Sequence, residues 1–459
     1  MALRPTDPSS SSPPVACDVL VVGGGPAGST AAALLARRGY AVTLLERARH
    51  PRFHIGESLL PANLPLLETL GVADEVAALG MPKWGIEFVS PWHEKPTRLD
   101  FSASWDKRLD HAYQVRRSEF DHVLIRRAAA DGADVVEGCR VTDVAFARDG
   151  DRAGSGAVVT ARHDDGRTVR YDARMVVDAS GRDTFLATRL GAKVRNREHN
   201  SAALYGHFEN ATRLPGRAEG NISIFWFEHG WFWFIPLSDG ATSVGAVCWP
   251  YYLKSRPTDR PLADFFADTI ALCPPLAARL ADARLVSRVE ATGNYSYSST
   301  AAHGPDHLLL GDAYAFVDPV FSSGVYLAMH SAFVGADLVA ARLSDPTAVR
   351  AATKRFERVM AKGPREFSWF IYRVTNPTMR DLFMAPRNVF RVREALLSLF
   401  AGDIFGRTPI WPSIFVFKTI YRIGSLLNAR RTLAAMRRRR SNIADTGSST
   451  DAGYARASA

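Results

Sequence analysis

The chain has 459 residues, a length that fits two or three domains at about 150 residues each. Hydrophobic residues make up 47% of the sequence and charged residues 23%, which excludes a chain that is disordered throughout. Lysine and arginine number 57 against 47 acidic residues, so the formal net charge is +10, and this excess suggests nucleic acid, a membrane surface or an acidic protein as a partner.

The cysteines and the N-terminal segment exclude further classes. The four cysteines lie far apart and form no C-x-x-C pair, so we expect neither a disulfide scaffold nor a metal site: Cys17, Cys139, Cys248 and Cys273. Residues 1–16 are rich in proline and serine and lack the regions of a secretory signal, so we expect a disordered leader on a cytoplasmic protein. No apolar run reaches the roughly 18 uncharged residues of a membrane span.

The first folded segment predicts a βαβ unit that binds a dinucleotide. An apolar strand from Cys17 ends at the glycine turn GGGPAG, a helical pattern follows, and a second strand ends in an acid. In this pattern the first glycine permits the tight turn, the second admits a pyrophosphate, and the third lets the helix pack closely on the strand. The helix N-terminus offers free N–H groups to the phosphates, and the acid accepts the ribose hydroxyls. The predicted cofactor-binding residues are Gly23, Gly25, Ala27, Gly28 and Glu46.

The turn alone does not distinguish NAD from FAD, but two later segments do. The strand His307–Gly311 ends at Asp312, which is placed to reach a polyol chain, and a helical run follows from Val325. Together with the N-terminal unit this resembles the glutathione-reductase-type FAD fold of flavin monooxygenases. Residues 117–124 resemble the R-x-x-F-D-x-x-L helix of that family, and the resemblance implies that Arg117 lies along the cofactor.

Three further motifs narrow the chemistry. Residues 231–236 read W-x-W-x-I-P, and residues 316–324 read F-x-x-P-x-x-S-x-G. Residues 56–58 read G-E-S, and Lys83 follows downstream. By composition alone, residues 231–236 are an aromatic core strand and Lys83 is a surface lysine. All three together, in this order, resemble the flavin-dependent halogenases, and the resemblance covers roughly residues 17 to 340.

The resemblance implies a mechanism and a set of site residues. FADH2 from a separate reductase reacts with O2 to give a flavin hydroperoxide, which oxidises chloride or bromide to hypohalous acid. Lys83 then either hydrogen-bonds this oxidant or forms a chloramine with it. The remaining implied site residues are the wall residues Trp231 and Trp233, Ser322 as a catalytic residue, Pro319 and Gly324 at the cofactor, and Ser323 with Gly324 at the halide.

A departure from the family pattern narrows the substrate. At this motif the tryptophan halogenases have the pattern P-L-E-S-T-G, in which the glutamate orients the oxidant. Phe321 stands at the position of that glutamate. Since phenylalanine cannot polarise the oxidant, we expect an electron-rich ring: a phenol, a resorcinol or a pyrrole, free or tethered to an acyl or peptidyl carrier protein. Glu57 is open to two interpretations, a catalytic base or a carboxylate that caps a loop.

The predicted fold class is α/β, a Rossmann-like FAD-binding domain with an inserted mixed β-sheet and a C-terminal helical segment. That segment either flanks the substrate entrance or is a packing layer. The predicted boundaries are a leader at 1–16, the FAD-binding domain at 17–200 and 290–345, the substrate-domain sheet at 201–289, the helical segment at 346–440, and a disordered tail at 441–459.

Two rival functions remain on this fold. One is an FAD-dependent aromatic monooxygenase or prenyl-type reductase, and the other is a non-catalytic binding protein.

The basic excess is local. Residues 404–444 contain nine bases and no acid, so the rest of the chain has a balance of 48 − 47 = +1. This removes nucleic acid as the expected partner. It leaves a basic C-terminal helix that either docks an acidic carrier protein or an anionic membrane surface, or is a solvated helix end.

Overall fold

The computed structural model describes residues 13–147, 156–196, 199–293 and 296–444. The predicted leader and tail lie outside this part of the chain, apart from residues 13–16 and 441–444. The first strand begins at Val15 rather than at Cys17, because Val15 and Ala16 pair with Tyr171 and Asp172. The last helix continues to Ala444, four residues beyond the predicted end of the helical segment.

The strands of the described chain are short, with most between two and eight residues. In chain order they are β1 Val15–Val22, β2 Val42–Glu46, β3 Met81–Lys83, β4 Gly85–Val89, β5 Thr97–Asp100, β6 Ala112–Gln114, β7 Asp134–Glu137, β8 Cys139–Phe146, β9 Ala157–His163, β10 Thr168–Asp178, β11 Lys193–Arg195, β12 Ala202–Glu209, β13 Ile222–Phe227, β14 Gly230–Pro236, β15 Thr242–Cys248, β16 Arg284–Leu285, β17 Glu290–Thr292, β18 Tyr297–Ser299, β19 His303–Gly304, β20 His307–Leu309 and β21 Ala315–Phe316.

Helices occur along the whole described chain, and beyond β21 the described residues form helices without strands. In chain order they are α1 Pro26–Ala36, α2 Leu64–Leu70, α3 Ala73–Leu79, α4 Arg117–Ala130, α5 Phe185–Arg189, α6 Pro250–Lys254, α7 Leu262–Ala271, α8 Pro274–Arg279, α9 Gly324–Ser344, α10 Val349–Ile371, α11 Pro377–Met384, α12 Val392–Ala401, α13 Trp411–Leu427 and α14 Ala429–Ala444.

The first sheet carries the glycine turn. Its order is β19-β20-β10-β1-β2-β7, the four pairings from β20 to β7 are parallel, and β9 joins β8 to β10. Val19 and Val21 of β1 pack into one core, and Leu20 and Val22 pack into another on the opposite face. Because both faces of this strand are buried, its sequence is a continuous apolar run rather than an alternating one.

Helices α1 and α9 pack together over this sheet. Ten of the eleven residues of α1 are buried, and most of them are alanine, glycine or serine, which permits close helix packing. Helix α9 has the length and hydropathy of a membrane span, a property that the sequence interpretation missed. Two thirds of its apolar window is buried inside the protein against α1 and α10, so α9 is a core helix of this fold.

The second sheet has the order β16-β12-β15-β14-β13-β4-β5, with β17 also paired to β12. It is mixed, as predicted, since β13 and β4 run parallel while its other pairs are antiparallel. Three of its strands, β4, β5 and β17, come from the two segments assigned to the FAD-binding domain, so the predicted boundaries at residues 200 and 290 separate strands that pair. Helices α6 to α8 lie within residues 201–289, the segment predicted as the substrate-domain sheet.

The C-terminal helices cover one face of the second sheet. Phe321 stacks on Phe400 of α12 with ring centroids 4.7 Å apart, and it meets Phe370 and Phe383 edge-on. Phe383 also stacks on Phe88 of β4. These rings join the second sheet, the turn before α9 and the helical segment in one aromatic core.

Candidate active site

The glycine turn between β1 and α1 has the geometry of a phosphate site. Gly23 has φ +99°, and a Cβ there would lie 2.6 Å from the carbonyl oxygen of Ala179. A Cβ on Gly28 would lie 1.8 Å from the carbonyl oxygen of Gly23, so only glycine permits this approach of helix to turn. A Cβ on Gly25 would meet only Arg52 Nη2, at 3.7 Å, which leaves open space at the N-terminus of α1.

Glu46 lies at the end of β2 beside this turn. Its Oε2 accepts a hydrogen bond from the N–H of Gly24 at 2.6 Å, and its Oε1 accepts one from Ala48 at 2.8 Å. The carboxylate is buried and lines the same cavity as Gly25 and Ala27. Each oxygen retains a further lone pair, so ribose hydroxyls can still be bound here.

Arg117 lies across the cavity at the start of α4. Its guanidinium makes a bidentate pair with Asp121, at 2.8 and 3.0 Å, and it donates to the carbonyl of Ile55 at 3.0 Å. Arg52 donates to the same carboxylate at 3.1 Å. Burial alone would raise the pKa of Asp121. The positive charge and the hydrogen bonds of Arg117, together with the charge of Arg52, outweigh burial, so the pKa of Asp121 lies below its usual value. This network keeps Arg117 rigid along the cavity wall.

FAD fits this cavity. The cavity has a volume of about 510 Å³ and extends from Gly25 and Glu46 to Asp312 and Gly324. Burial raises the pKa of Asp312 to about 6, while Arg182 and Arg117 act against that rise. A carboxylate in this setting is stabilised by hydroxyl donors, which the ribityl chain of a flavin provides.

A second cavity of about 110 Å³ adjoins the first and shares Arg117, Asp312 and Gly324 with it. Trp231, Trp233 and Ile235 line it, because alternate residues of β14 point to one face of the sheet. Phe232 and Phe234 pack on the opposite face with α7 and α8. The Trp233 indole donates to Ser243 Oγ at 3.1 Å, which fixes its ring at the cavity wall.

Lys83 lies directly behind this cavity. Its ammonium donates to Ser58 Oγ at 2.9 Å and to the carbonyl of Leu59 at 3.0 Å, and it lies 5.5 Å from the centre of the Phe101 ring. Lys83 is only 1% exposed, whereas Ser58 lines the cavity, so Ser58 separates the lysine from the space beside the tryptophans. Burial lowers the pKa of Lys83 from 10.5 to about 7.

The turn before α9 brings the remaining predicted residues to the same place. Pro319, Ser322 and Gly324 line the second cavity, while Ser323 is buried at the N-cap of α9. Ser322 has φ +56°, an uncommon conformation for a residue with a side chain. Gly324 starts the helix with open space where its Cβ would be. The free N–H groups at the N-terminus of this 21-residue helix lie beside the second cavity, which Gly324 and Val325 line.

Phe321 has a role that the motif did not predict. Its ring packs into the aromatic core instead of facing the cavity, so it anchors the C-terminal helices. The position therefore supplies no polar group to the site.

Sequence reasoning missed Arg182 and the partner of Glu57. Arg182 lines both cavities, although it belongs to none of the motifs described in the sequence. His207 of β12 contacts Glu57, with Nε2 and Oε1 2.9 Å apart. The two residues are 150 positions apart, and no local pattern links them. The assigned roles of the predicted site residues stay predictions, although the fold gathers them around two adjoining cavities.

Comparison with known proteins identifies the family to which this fold belongs. A family described as FAD binding domain matches residues 16–357. The chain is 36% identical over 329 residues to the tryptophan 2-halogenase of Chondromyces crocatus, covering 71% of this chain and 61% of that protein. It is 29% identical over 394 residues to a 1H-pyrrole-2-carbonyl-(peptidyl-carrier protein) chlorinase of Pseudomonas fluorescens, covering 81% and 86%. The structure of the myxobacterial chondrochloren halogenase CndH matches with a TM-score of 0.74 and 35% identity, covering 90% of this chain and 98% of that one.

The fold and the cavity thus define an FAD-binding protein. The chain belongs to the FAD-dependent halogenases, which confirms the predicted family, fold class and cofactor. It spans 61% of the length of the tryptophan 2-halogenase, less than two thirds of that relative.

Proposed function

We propose that the chain is an FADH2-dependent halogenase that uses O2 and chloride or bromide to halogenate an electron-rich aromatic ring, such as a phenol, resorcinol or pyrrole. The observation that carries this proposal is the placement of Lys83. Its amino group is buried behind Ser58, which lines the same cavity as Trp231 and Trp233. Hypohalous acid reacts unselectively, so a residue has to bind it and deliver the halogen to the ring. A lysine held at this position can do so.

The residues that line the larger cavity would hold FAD. Once reduced by a separate reductase, the flavin would supply, with O2, the oxidant that converts halide into hypohalous acid. The N-terminal N–H groups of α9, near Ser323 and Gly324, bind the halide. Trp231 and Trp233 exclude water and keep the organic ring away from the flavin. Lys83 receives the oxidised halogen at Nζ.

The ionisation of Lys83 decides how it acts. With a pKa of about 7, a substantial fraction of the side chain is a neutral amine at neutral pH. Its two hydrogens go to Ser58 and Leu59, and its lone pair is then free to attack the halogen. This arrangement favours chloramine formation over hydrogen bonding by the ammonium.

The test is Lys83→Met in the FAD-loaded enzyme. We expect halogenated product to fall about 100-fold or more, the scale of a lost catalytic group, while FAD binding and peroxide release remain. Lys107→Met removes an exposed lysine and serves as the matched control. Halogenated product formed by Lys83→Met at the wild-type rate would refute the proposal. An aromatic monooxygenase would tolerate the change at Lys83 and would form hydroxylated product instead. A protein that binds no FAD in either redox state would instead be the binding-protein rival.

The C-terminal helices α13 and α14 form the proposed docking face, defined by exposed Ile423, Leu426, Leu433, Arg430 and Arg437. A P. fluorescens relative is named as acting on a pyrrole held by a peptidyl-carrier protein. We infer that the occupant is an acidic carrier protein bearing the aromatic substrate, because basic charge surrounds the apolar side chains. An anionic membrane surface is the other partner that fits, and a cytoplasmic location suits both.

A further inference from the structure

Glu57 and His207 form a buried pair that the proposed mechanism does not use. Glu57 comes from the loop before α2, and His207 comes from β12 of the second sheet. Their hydrogen bond measures 2.9 Å between Oε1 and Nε2, and the side chains are 1% and 5% exposed. The pair therefore links the FAD-binding segment to the second sheet at the edge of the smaller cavity.

The other carboxylate oxygen is the informative atom. Glu57 Oε2 is buried and has no hydrogen-bond partner among the residues that the structure describes. A buried carboxylate oxygen without a donor is destabilising, so this arrangement suits a donor from a ligand. Glu57 lines the cavity together with Trp231 and Trp233, where the aromatic ring is proposed to react.

We propose that Glu57 accepts, at Oε2, the O–H or N–H of the aromatic substrate and takes that proton as the ring is halogenated. This inference rests on the proposed function. His207 is a positioning residue, since its bond to Oε1 leaves Oε2 as the carboxylate oxygen without a partner. Phe321 packs in the aromatic core and provides no polar group for the reaction. The Glu57 carboxylate can activate the ring instead.

The step balances for a phenol and the haloamine of Lys83, which forms from the neutral amine and hypohalous acid with loss of water. The phenol proton passes to Glu57 as ring electrons form the carbon–halogen bond and the halogen–nitrogen bond breaks, which leaves a neutral dienone. The electron pair of the broken bond stays on Nζ, and Nζ takes as a proton the hydrogen that the halogenated carbon loses. Glu57 then returns its proton to the ring oxygen, so the products are the halogenated phenol and the free amine of Lys83.

The inference specifies a substrate class. The ring must carry a free O–H or N–H conjugated with the carbon that is halogenated. The methyl ether of the same ring lacks this proton and cannot be activated by Glu57.

The experiment compares Glu57→Gln with the wild-type holoenzyme on a phenol and on its methyl ether, with reduced FAD, O2 and bromide. Glutamine keeps the size of the side chain but cannot take the proton. We expect kcat/KM for the phenol to fall about 100-fold and that for the methyl ether to change less than about 3-fold. FAD affinity should remain that of the wild type.

Three results would overturn the inference: no loss on either ring, an equal loss on both, or a parallel loss of FAD affinity, which would assign Oε2 to the flavin. Glu87→Gln is the control, since Glu87 is an equally buried carboxylate paired with Arg279 outside the cavity. If Glu57→Gln does not fold, His207→Asn tests the same contrast between the rings. Absence of any halogenated product from the wild type would refute the proposed function instead.

Discussion

At the scale of single residues, Lys83 has an unusual relation between burial and charge. It is almost fully buried, and its pKa falls to about 7 because the protein interior disfavours the ammonium. Between that pH and the ordinary lysine value of 10.5, the unfolded chain binds a proton that the folded chain has lost. The free energy of unfolding therefore rises with pH across this window, and the energetic penalty of burial is greatest below it.

Lys83→Met should reveal this dependence, because methionine does not titrate. From about pH 7.5 to about pH 9, the stability of the wild type should rise relative to the variant by about 2 kcal/mol. Urea unfolding at the two pH values measures the change, and Lys107→Met should show none. A difference between Lys83→Met and the wild type that does not vary with pH would place the pKa of Lys83 near its ordinary value.

At the scale of elements, the alternating side chains of β14 give its two faces different roles. Trp231, Trp233 and Ile235 face the cavity and the aromatic core, and Phe232 and Phe234 face α7 and α8. The neighbouring strand β15 accommodates this arrangement through Gly245, which pairs with Trp233. A Cβ on Gly245 would lie 2.1 Å from Trp233 Cζ2, so the indole occupies the space that a side chain there would need.

Gly245→Ala should therefore displace the Trp233 ring from the cavity wall. We expect a stability loss of about 1–3 kcal/mol from overpacking and a halogenation rate that falls more than flavin reoxidation does. Urea unfolding and product analysis measure the two effects. The control is Gly206→Ala on β12, where a new Cβ would meet the flexible end of Leu285. Wild-type values for Gly245→Ala would mean that the strand shifts to accept the methyl group.

The sequence predicts some elements of this fold much better than others. The glycine turn and the strand β14 are local patterns, so their positions follow from spacing alone. The membership of β4 and β5 in the second sheet depends on pairing with β13, more than 120 residues away, and no local pattern carries it. The Glu57–His207 pair and the orientation of Phe321 were missed for the same reason, because both are set by tertiary packing.

At the scale of the whole molecule, the charge is unevenly distributed. The acid-free segment of residues 404–444 supplies nine of the ten units of net charge. In the structure this segment includes α13 and α14, where exposed Leu426 and Leu427 stand beside exposed arginines. Apolar side chains ringed by like charges suit an oppositely charged partner.

The double variant Arg430→Glu/Arg437→Glu tests this face. We expect KM for a carrier-bound substrate to rise about tenfold, with weaker dependence on salt, and the kinetics of the free substrate to stay unchanged. Reversing Arg162 and Arg170 on the first sheet changes the net charge equally and is the control. Loss of binding to anionic vesicles with unchanged carrier kinetics would identify a membrane instead, and no change in either assay would indicate a solvated helix end.

The stacking of Phe321 on Phe400 also bears on how the chain can be shortened. The family match ends at residue 357, yet the helices beyond it bury Phe88, Trp226 and Phe321 in a shared core. A protein cut at that boundary would present a broad aromatic surface to water and aggregate. The smallest soluble form of this protein therefore has to keep the end of α10 and the helices α11 to α13, although they lie outside the matched region.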